Sequence, residues 1–212
     1  ATLEKQGVKS MADITRIVPG VELNIAGNNR TAISIRGIRA TSGSSTTGIY
    51  LDDVAIQSRI QGYGGGNTYP RVFDLERIEA LRGPQATLFG AGSQGGTIRF
   101  ISPAPSFTDY SGMARAEIAT TQYGAISYEA GAAVGGPIVT DRLAARGSIW
   151  YRKSGGWIDR YDYNSGQVTK KNANSADALT AKFELALALT ENITLRPSIY
   201  YQEENTDDLS DY

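Results

Sequence analysis

From residue 180 to residue 190 the chain alternates strictly. Ala181, Phe183, Leu185, Leu187 and Leu189 fall on one side, and Thr180, Lys182, Glu184, Ala186 and Ala188 on the other. Period two over this length excludes an amphipathic helix and specifies an extended strand with one apolar and one polar face. Residues 193–202 repeat the pattern, with Ile193, Leu195, Pro197, Ile199 and Tyr201 opposite Thr194, Arg196, Ser198, Tyr200 and Gln202. Residues 143–152 follow, placing Leu143, Ala145, Gly147, Ile149 and Tyr151 on the apolar side, although Trp150 then joins Arg146, Ser148 and Arg152 on the polar one. Residues 112–121 and 126–134 are weaker copies, with Arg115, Glu117 and Glu129 on the polar face. Pro197 cannot donate to a ladder, so a bulge or a locally open pair is expected there.

The first half is organised differently. Residues 75–102, LERIEALRGPQATLFGAGSQGGTIRFIS, carry Gly83, Gly90, Gly92, Gly95, Gly96 and Pro84. These break the stretch into short pieces, while Ile78, Leu81, Leu88, Phe89, Ile98, Phe100 and Ile101 supply a core. Upstream, Ser10 is an N-cap candidate for a helix with Met11, Ile14, Ile17 and Val18 on one face, stopped by Pro19-Gly20. Residues 21–25 and 32–35 read as strands around a polar turn containing Asn28. Residues 39–48 (RATSGSSTTG) and 57–69 (QSRIQGYGGGNTY) are long loops with little to pack, flanking a strand over residues 48–54. Pro103, Ala104 and Pro105 form a hinge after this region.

Composition removes whole classes of chemistry. The chain has no cysteine and no histidine, so disulfides, thiolate or imidazole metal sites and Ser-His-Asp triads are excluded. Residues 1–102 hold 11 Lys or Arg against 8 Asp or Glu, and the remainder 10 against 14. Neither half presents a basic nucleic-acid surface, so no nucleic acid is expected as a partner. No apolar run approaches the roughly 18 residues of a spanning helix. The glycines do not form a phosphate loop, because no Gly-Lys-Ser or Gly-Lys-Thr follows them. Asp52-Asp53 is either a turn between strands or a carboxylate pair, and an enzyme built on Asp52, Asp74 and Glu76 would be a glycosidase. The acidic residues Glu203, Glu204, Asp207, Asp208 and Asp211 fit either a calcium loop or a solvated outer loop.

The string LERIEALRGP, the LFG at residues 88–90, the GGTI at 95–98, Val18-Pro19-Gly20-Val21, Ile35-Arg36-Gly37 and GIYLDDV at 48–54 occur in the order found in the plug domains of TonB-dependent outer-membrane receptors, which this half of the chain closely resembles. The resemblance implies an α+β plug domain over residues 1–105, followed over 106–212 by antiparallel strands of a transmembrane β-barrel. The chain is then an N-terminal fragment, carrying five strands of the roughly 22 in a plugged barrel. It implies a non-enzymatic receptor of the Gram-negative outer membrane that imports a scarce polar nutrient resembling a siderophore, vitamin or glycan, and no cofactor. A receptor that captures or signals without import is the alternative. Implied partners are TonB, through a segment upstream of Ala1, a small-molecule or oligosaccharide ligand, and outer-membrane lipid. Ligand contacts fall on Asn28, Arg39, Ser42, Ser44, Arg59, Gln61, Tyr63 and Tyr69 in the plug loops. Arg36 and Arg82 latch plug to barrel through wall glutamates beyond Tyr212, or else pair within the plug, for instance with Glu76 or Glu79. Short turns at 135–141 and 191–192 would face the periplasm and the long segment 154–177 the outside, leaving 122–125 as an unusually short outer loop.

Overall fold

The computed structural model describes residues 11–26, 30–38, 45–56 and 69–208. The chain divides into two compact units, residues 1–103 and 104–212.

In the first unit, helix α1 (Met11–Ile17) buries Met11 and Ile14 and ends at Gly20, which takes φ +80°. Strands β1 (Val21–Ala26) and β2 (Arg30–Ile35) pair as an antiparallel hairpin, Val21 opposite Ile35. Next come β3 (Thr47–Leu51), β4 (Val54–Ala55), β5 (Arg77–Arg82), the single-turn helix α2 (Ala86–Phe89) and β6 (Gly96–Ile101). They build a four-stranded sheet in the order β4-β3-β6-β5, in which β3 and β6 are parallel and the other pairs antiparallel. Parity puts Ile49, Leu51, Ile98 and Phe100 on one face, and all four are buried, as are Val21, Ile33 and Ile35 of the hairpin. Full burial of each such side chain contributes about 1.5–3 kcal/mol. The opposite face carries Tyr50, Glu79 and Arg99 beneath Phe89 of α2: Tyr50 Oη donates to the Phe89 carbonyl at 2.6 Å, and the Arg99 guanidinium lies 5.7 Å from the Phe89 ring centre.

The second unit is one antiparallel sheet. Its strands are β7 (Ser111–Ala119), β8 (Ser127–Val139), β9 (Leu143–Ser154), β12 (Ala176–Thr190), β13 (Ile193–Leu195) and β14 (Ser198–Thr206), each paired with the next in sequence except that β13 and β14 both pair β12. A separate small hairpin, β10 (Arg160–Tyr161) with β11 (Val168–Lys170), lies inside the segment expected to be a plain loop. Its nucleus is a turn in which Asp162 Oδ1 accepts the Asn164 amide and the amide and hydroxyl of Ser165.

Pro197 accounts for the gap between β13 and β14. Leu187 opposite Leu195 and Glu184 opposite Ser198 share one register, so no residue is inserted. The Leu185 amide donates to the Pro197 carbonyl at 3.0 Å, and proline has no N–H to return. This is the locally open pair. Another expectation is corrected: Gly135 and Gly136 are not a turn, because β8 continues to Val139 with a bulge after Pro137, and the reversal is the tight turn at 140–142. There the Arg142 amide donates to the Val139 carbonyl and Asp141 takes φ +60°.

The two faces of this sheet invert the soluble arrangement. Ile118, Val134, Ile149, Phe183, Ile199 and Tyr201 are exposed, while Glu129, Arg146, Trp150, Thr180 and Glu184 on the other face are buried. An apolar exterior with a charged, ion-paired interior is what a membrane-embedded barrel wall requires. On β12 the exposed-face apolar positions run from Leu189 to Leu179; ten steps of about 3.3 Å, tilted by about 40°, span about 25 Å of hydrocarbon.

Candidate functional site

The register brings Thr47, Gly96 and Arg82 to the same end of the four-stranded sheet. A Cβ on Gly96 would meet the Leu81 carbonyl oxygen at 2.3 Å and Ile35 Cδ1 at 2.7 Å, so only glycine lets the end of β2 lie this close. Immediately beyond Ile35 the chain reverses: Arg36 and Gly37 both take positive φ, +55° and +73°, and the Ile38 amide donates to the Ile35 carbonyl at 3.1 Å. Two consecutive left-handed residues make a primed turn, which throws the Arg36 side chain outward. The Arg36 amide donates to the Gly20 carbonyl at 2.7 Å, and Arg82 Nη1 reaches the Pro19 carbonyl at 3.5 Å. Sequence-distant Arg36 and Arg82 thus flank one Pro19–Gly20 turn. Both are exposed, and among the described residues no carboxylate is paired with either. Glu76 and Glu79, the alternative partners within this unit, are occupied by Arg77, and Glu79 also by Arg99.

Of the expected ligand contacts, Asn28, Arg39, Ser42, Ser44, Arg59, Gln61 and Tyr63 lie outside the described residues. Tyr69 is described, half-buried beside the buried Pro70. Among the described residues beside these stretches, Thr46 Oγ1 donates to the Ile38 carbonyl at 3.0 Å and the Ile56 amide donates to the Ile49 carbonyl at 2.9 Å.

At the far end of the sheet Asp52 and Asp53 form the β3–β4 turn, with Asp52 at φ +53°. They hold the end of β6. Asp52 Oδ1 accepts the Ser102 amide at 2.9 Å and its hydroxyl at 2.7 Å. Asp53 accepts Arg99 Nη2 at 2.9 Å, and Arg99 Nη1 bonds Glu79 at 2.9 Å. The hydrogen bond from Arg77, reinforced by Arg99, holds the Glu79 carboxyl below the usual glutamate range, and the same bond raises Arg77. Both carboxylates of the Asp52-Asp53 pair thus bond β6 and the residue after it, as the turn reading requires.

On the buried face of the second sheet Glu129 is a hub, 2.8 Å from Arg115 Nε and 3.1 Å from Arg152 Nη1 with its side chain 2% exposed. Glu184 joins Lys182 Nζ at 3.0 Å and Arg196 Nε at 2.8 Å. Parity alone had put these residues on one face; the register adds that Glu129 stands directly opposite Arg152, whereas Lys182 lies two residues from Glu184 on the same strand. Among the described residues no group of three or more acidic, histidine or cysteine side chains is placed to hold a metal. Asp207 and Asp208 bond Lys170 and Arg160 instead, at 2.7 and 2.9 Å, and Glu203 and Glu204 belong to β14.

The family model for the TonB-dependent receptor plug domain matches residues 1–97. Among similar proteins, the pesticin receptor of Yersinia pestis is 31% identical over 109 residues, which is 50% of this chain and 15% of that protein. The vitamin B12 transporter BtuB of Vibrio vulnificus is 36% identical over 98 residues, 46% of this chain and 16% of its own. The ferric enterobactin receptor PirA of Pseudomonas aeruginosa is 34% identical over 114 residues, 47% of this chain and 15% of its own. The chain therefore spans only a small fraction of the length of these relatives. In fold it is similar to the ferric yersiniabactin uptake receptor FyuA from Yersinia pestis, with TM-score 0.76 and 22% identity over 97% of this chain and 31% of that one. It is likewise similar to the pyoverdine receptor FpvA from Pseudomonas aeruginosa, with TM-score 0.74 and 22% identity over 95% and 26%.

Proposed function

Because the chain belongs to the TonB-dependent outer-membrane receptors through the plug domain at its front, we propose that the whole protein imports a scarce polar nutrient across the Gram-negative outer membrane. The observation that carries this reading is the succession of the two units: a glycine-rich plug, then a sheet whose exposed face is apolar and whose ion-paired face is buried. A ligand binds from outside, on the plug loops at 39–44 and 57–69 and on barrel loops. Energy arrives through TonB. Proteins similar to this chain are named for pesticin, vitamin B12 and ferric enterobactin, so ferric chelates and corrinoids lead the substrate class, with oligosaccharides behind them.

Arg36 and Arg82 are the latch between plug and wall. Two guanidinium groups flanking one turn, with no carboxylate partner among the described residues, suit bidentate capture by glutamates of the barrel wall. Growth of a strain lacking the gene, on a panel of ferric chelates, cobalamin and oligosaccharides as limiting nutrients, tests the import reading. Selective loss of growth on one class, restored by the full-length gene, supports it; unaltered growth on every member contradicts it.

A further inference from the structure

The apolar face of the second sheet does not end level across its strands. The rung that begins with Ile118 on β7 continues through Tyr128 on β8 to Lys153, Asp177 and Asn205 on β9, β12 and β14. On β14 the last apolar outward position is Tyr201, whose rung runs back through Ala181, Ile149 and Ala132 to Ala114. The upper apolar boundary therefore drops by four residues of strand, about 13 Å, across four strand spacings, about 19 Å, a slope of about 35°. That slope equals the tilt at which barrel strands cross a bilayer, so the boundary is level with the membrane surface while the rungs are not.

The consequence falls on the high corner. At β7–β8 the apolar face reaches the strand ends and continues into the short turn: Ile118 is 78% exposed, Ile126, which keeps the parity of Tyr128, 60%, Tyr123 92% and Trp157 of the neighbouring segment 55%. Residues 118–128 contain no charged side chain, and neither do 155–158. The turn is rigid. The Ala125 amide donates to the Gly156 carbonyl at 2.9 Å and the Gly155 amide to Ser127 Oγ at 2.9 Å. A Cβ on Gly124 would stand 2.9 Å from the Gly156 carbonyl oxygen and 3.2 Å from Trp157 Cβ. Tyr123, a bulky residue, takes φ +63° there, a conformation that glycine or asparagine adopts more easily. In that conformation the Tyr123 side chain is exposed.

Resting on the outer-membrane reading above, we infer that the β7–β8 turn and Trp157 form a lipid-contact surface, seated among the headgroups and upper acyl chains of the outer leaflet rather than in water. Tyrosine and tryptophan suit that zone because their rings are apolar and their polar atoms can reach water. The occupant is lipid because the patch is continuous with the lipid-facing sheet. The β10–β11 hairpin provides the contrast: its Tyr163 is 99% exposed, but its hairpin carries the charged residues Arg160, Asp162 and Lys170, with Lys171 next in sequence and Lys170 paired with Asp207, a composition that belongs in water.

The test uses full-length receptor in phosphatidylethanolamine/phosphatidylglycerol vesicles, with a nitroxide on single cysteines at positions 123, 126, 157, 163, 149 and 183. The readout is collision with oxygen against a water-soluble nickel chelate. Positions 149 and 183 should favour oxygen and position 163 nickel, with nickel access at 123 and 157 about tenfold below that at 163. Position 126, on ordinary backbone, gives the same reading should a label disturb the Tyr123 turn. Nickel access at 123, 126 and 157 equal to that at 163, with 149 and 183 still in lipid, overturns this inference alone. Water-like readings at 149 and 183 overturn the membrane reading as well.

Discussion

Asp52 and Ser102, fifty positions apart, are fastened by two hydrogen bonds from one serine to one carboxylate oxygen, 2.9 Å from the amide and 2.7 Å from the hydroxyl. The bond closes the parallel pair β3–β6 at the point where the chain leaves the first unit, at Pro103. Hydrogen bonds to a charged acceptor contribute about 1.5–3 kcal/mol each. Asp52→Ala should speed amide exchange at residues 100–102 by at least about tenfold. Asp53→Ala removes only a bond made by a 92% exposed carboxylate and should leave exchange there nearly unchanged. Equal exchange in both variants would remove the fastening role from Asp52.

Arg36→Ala and Arg82→Ala in the full-length receptor should each raise protease sensitivity of the plug while leaving the barrel assembled. The double variant should add little to either, since both side chains serve one turn. A plug as resistant as wild type in the double variant would end the latch assignment.

Acid should loosen the Glu79 cluster. The folded-state carboxyl is held below the usual glutamate range, first by its hydrogen bond from Arg77 and further by Arg99. A depressed carboxyl stabilises fully above its unfolded pKa, and that stabilisation disappears as pH falls through the lower folded value. Glu79→Gln should therefore weaken the plug at pH 7 and flatten the acid side of its stability profile below about pH 4.5. An acid limb identical in both proteins would show that Glu79 is not its source.

Leu185 lies on the outward face near the middle of β12 and donates its amide to Pro197. Leu185→Arg should cost about 2–4 kcal/mol of folding free energy in lipid, whereas Gln202→Arg, on the inward face, should cost much less. The comparison is made by denaturant titration of refolding into vesicles, and a reversed order would exchange the two faces.

Strand identity in the second unit was legible because the alternation at 180–190 is strict and places Lys182 and Glu184 on the side opposite the leucines. The stretch Gly135-Gly136-Pro137 misleads because its composition signals a turn. In the fold Tyr110 covers Gly136, where a Cβ would meet its ring at 2.3 Å, so these glycines make room for neighbours rather than for a reversal. The β10–β11 hairpin has strands of two and three residues, too short to show a period. The Asp52–Ser102 bond and the approach of Arg36 and Arg82 to one turn were hidden for another reason. Each joins residues distant in sequence, brought together by the pairing of β3 with β6 for Asp52 and Ser102, and by the β1–β2 hairpin and the end of β5 for the two arginines. The motifs shared with receptor plugs located the arginines; they did not show that Glu76 and Glu79 would be taken by Arg77.

The most direct measurement follows a labelled nutrient, chosen from the growth panel, in cells producing the full-length receptor with and without functional TonB. Import predicts surface binding in both strains and accumulation inside only where TonB works. Equal accumulation in the two strains, or binding with no accumulation in either, would contradict it.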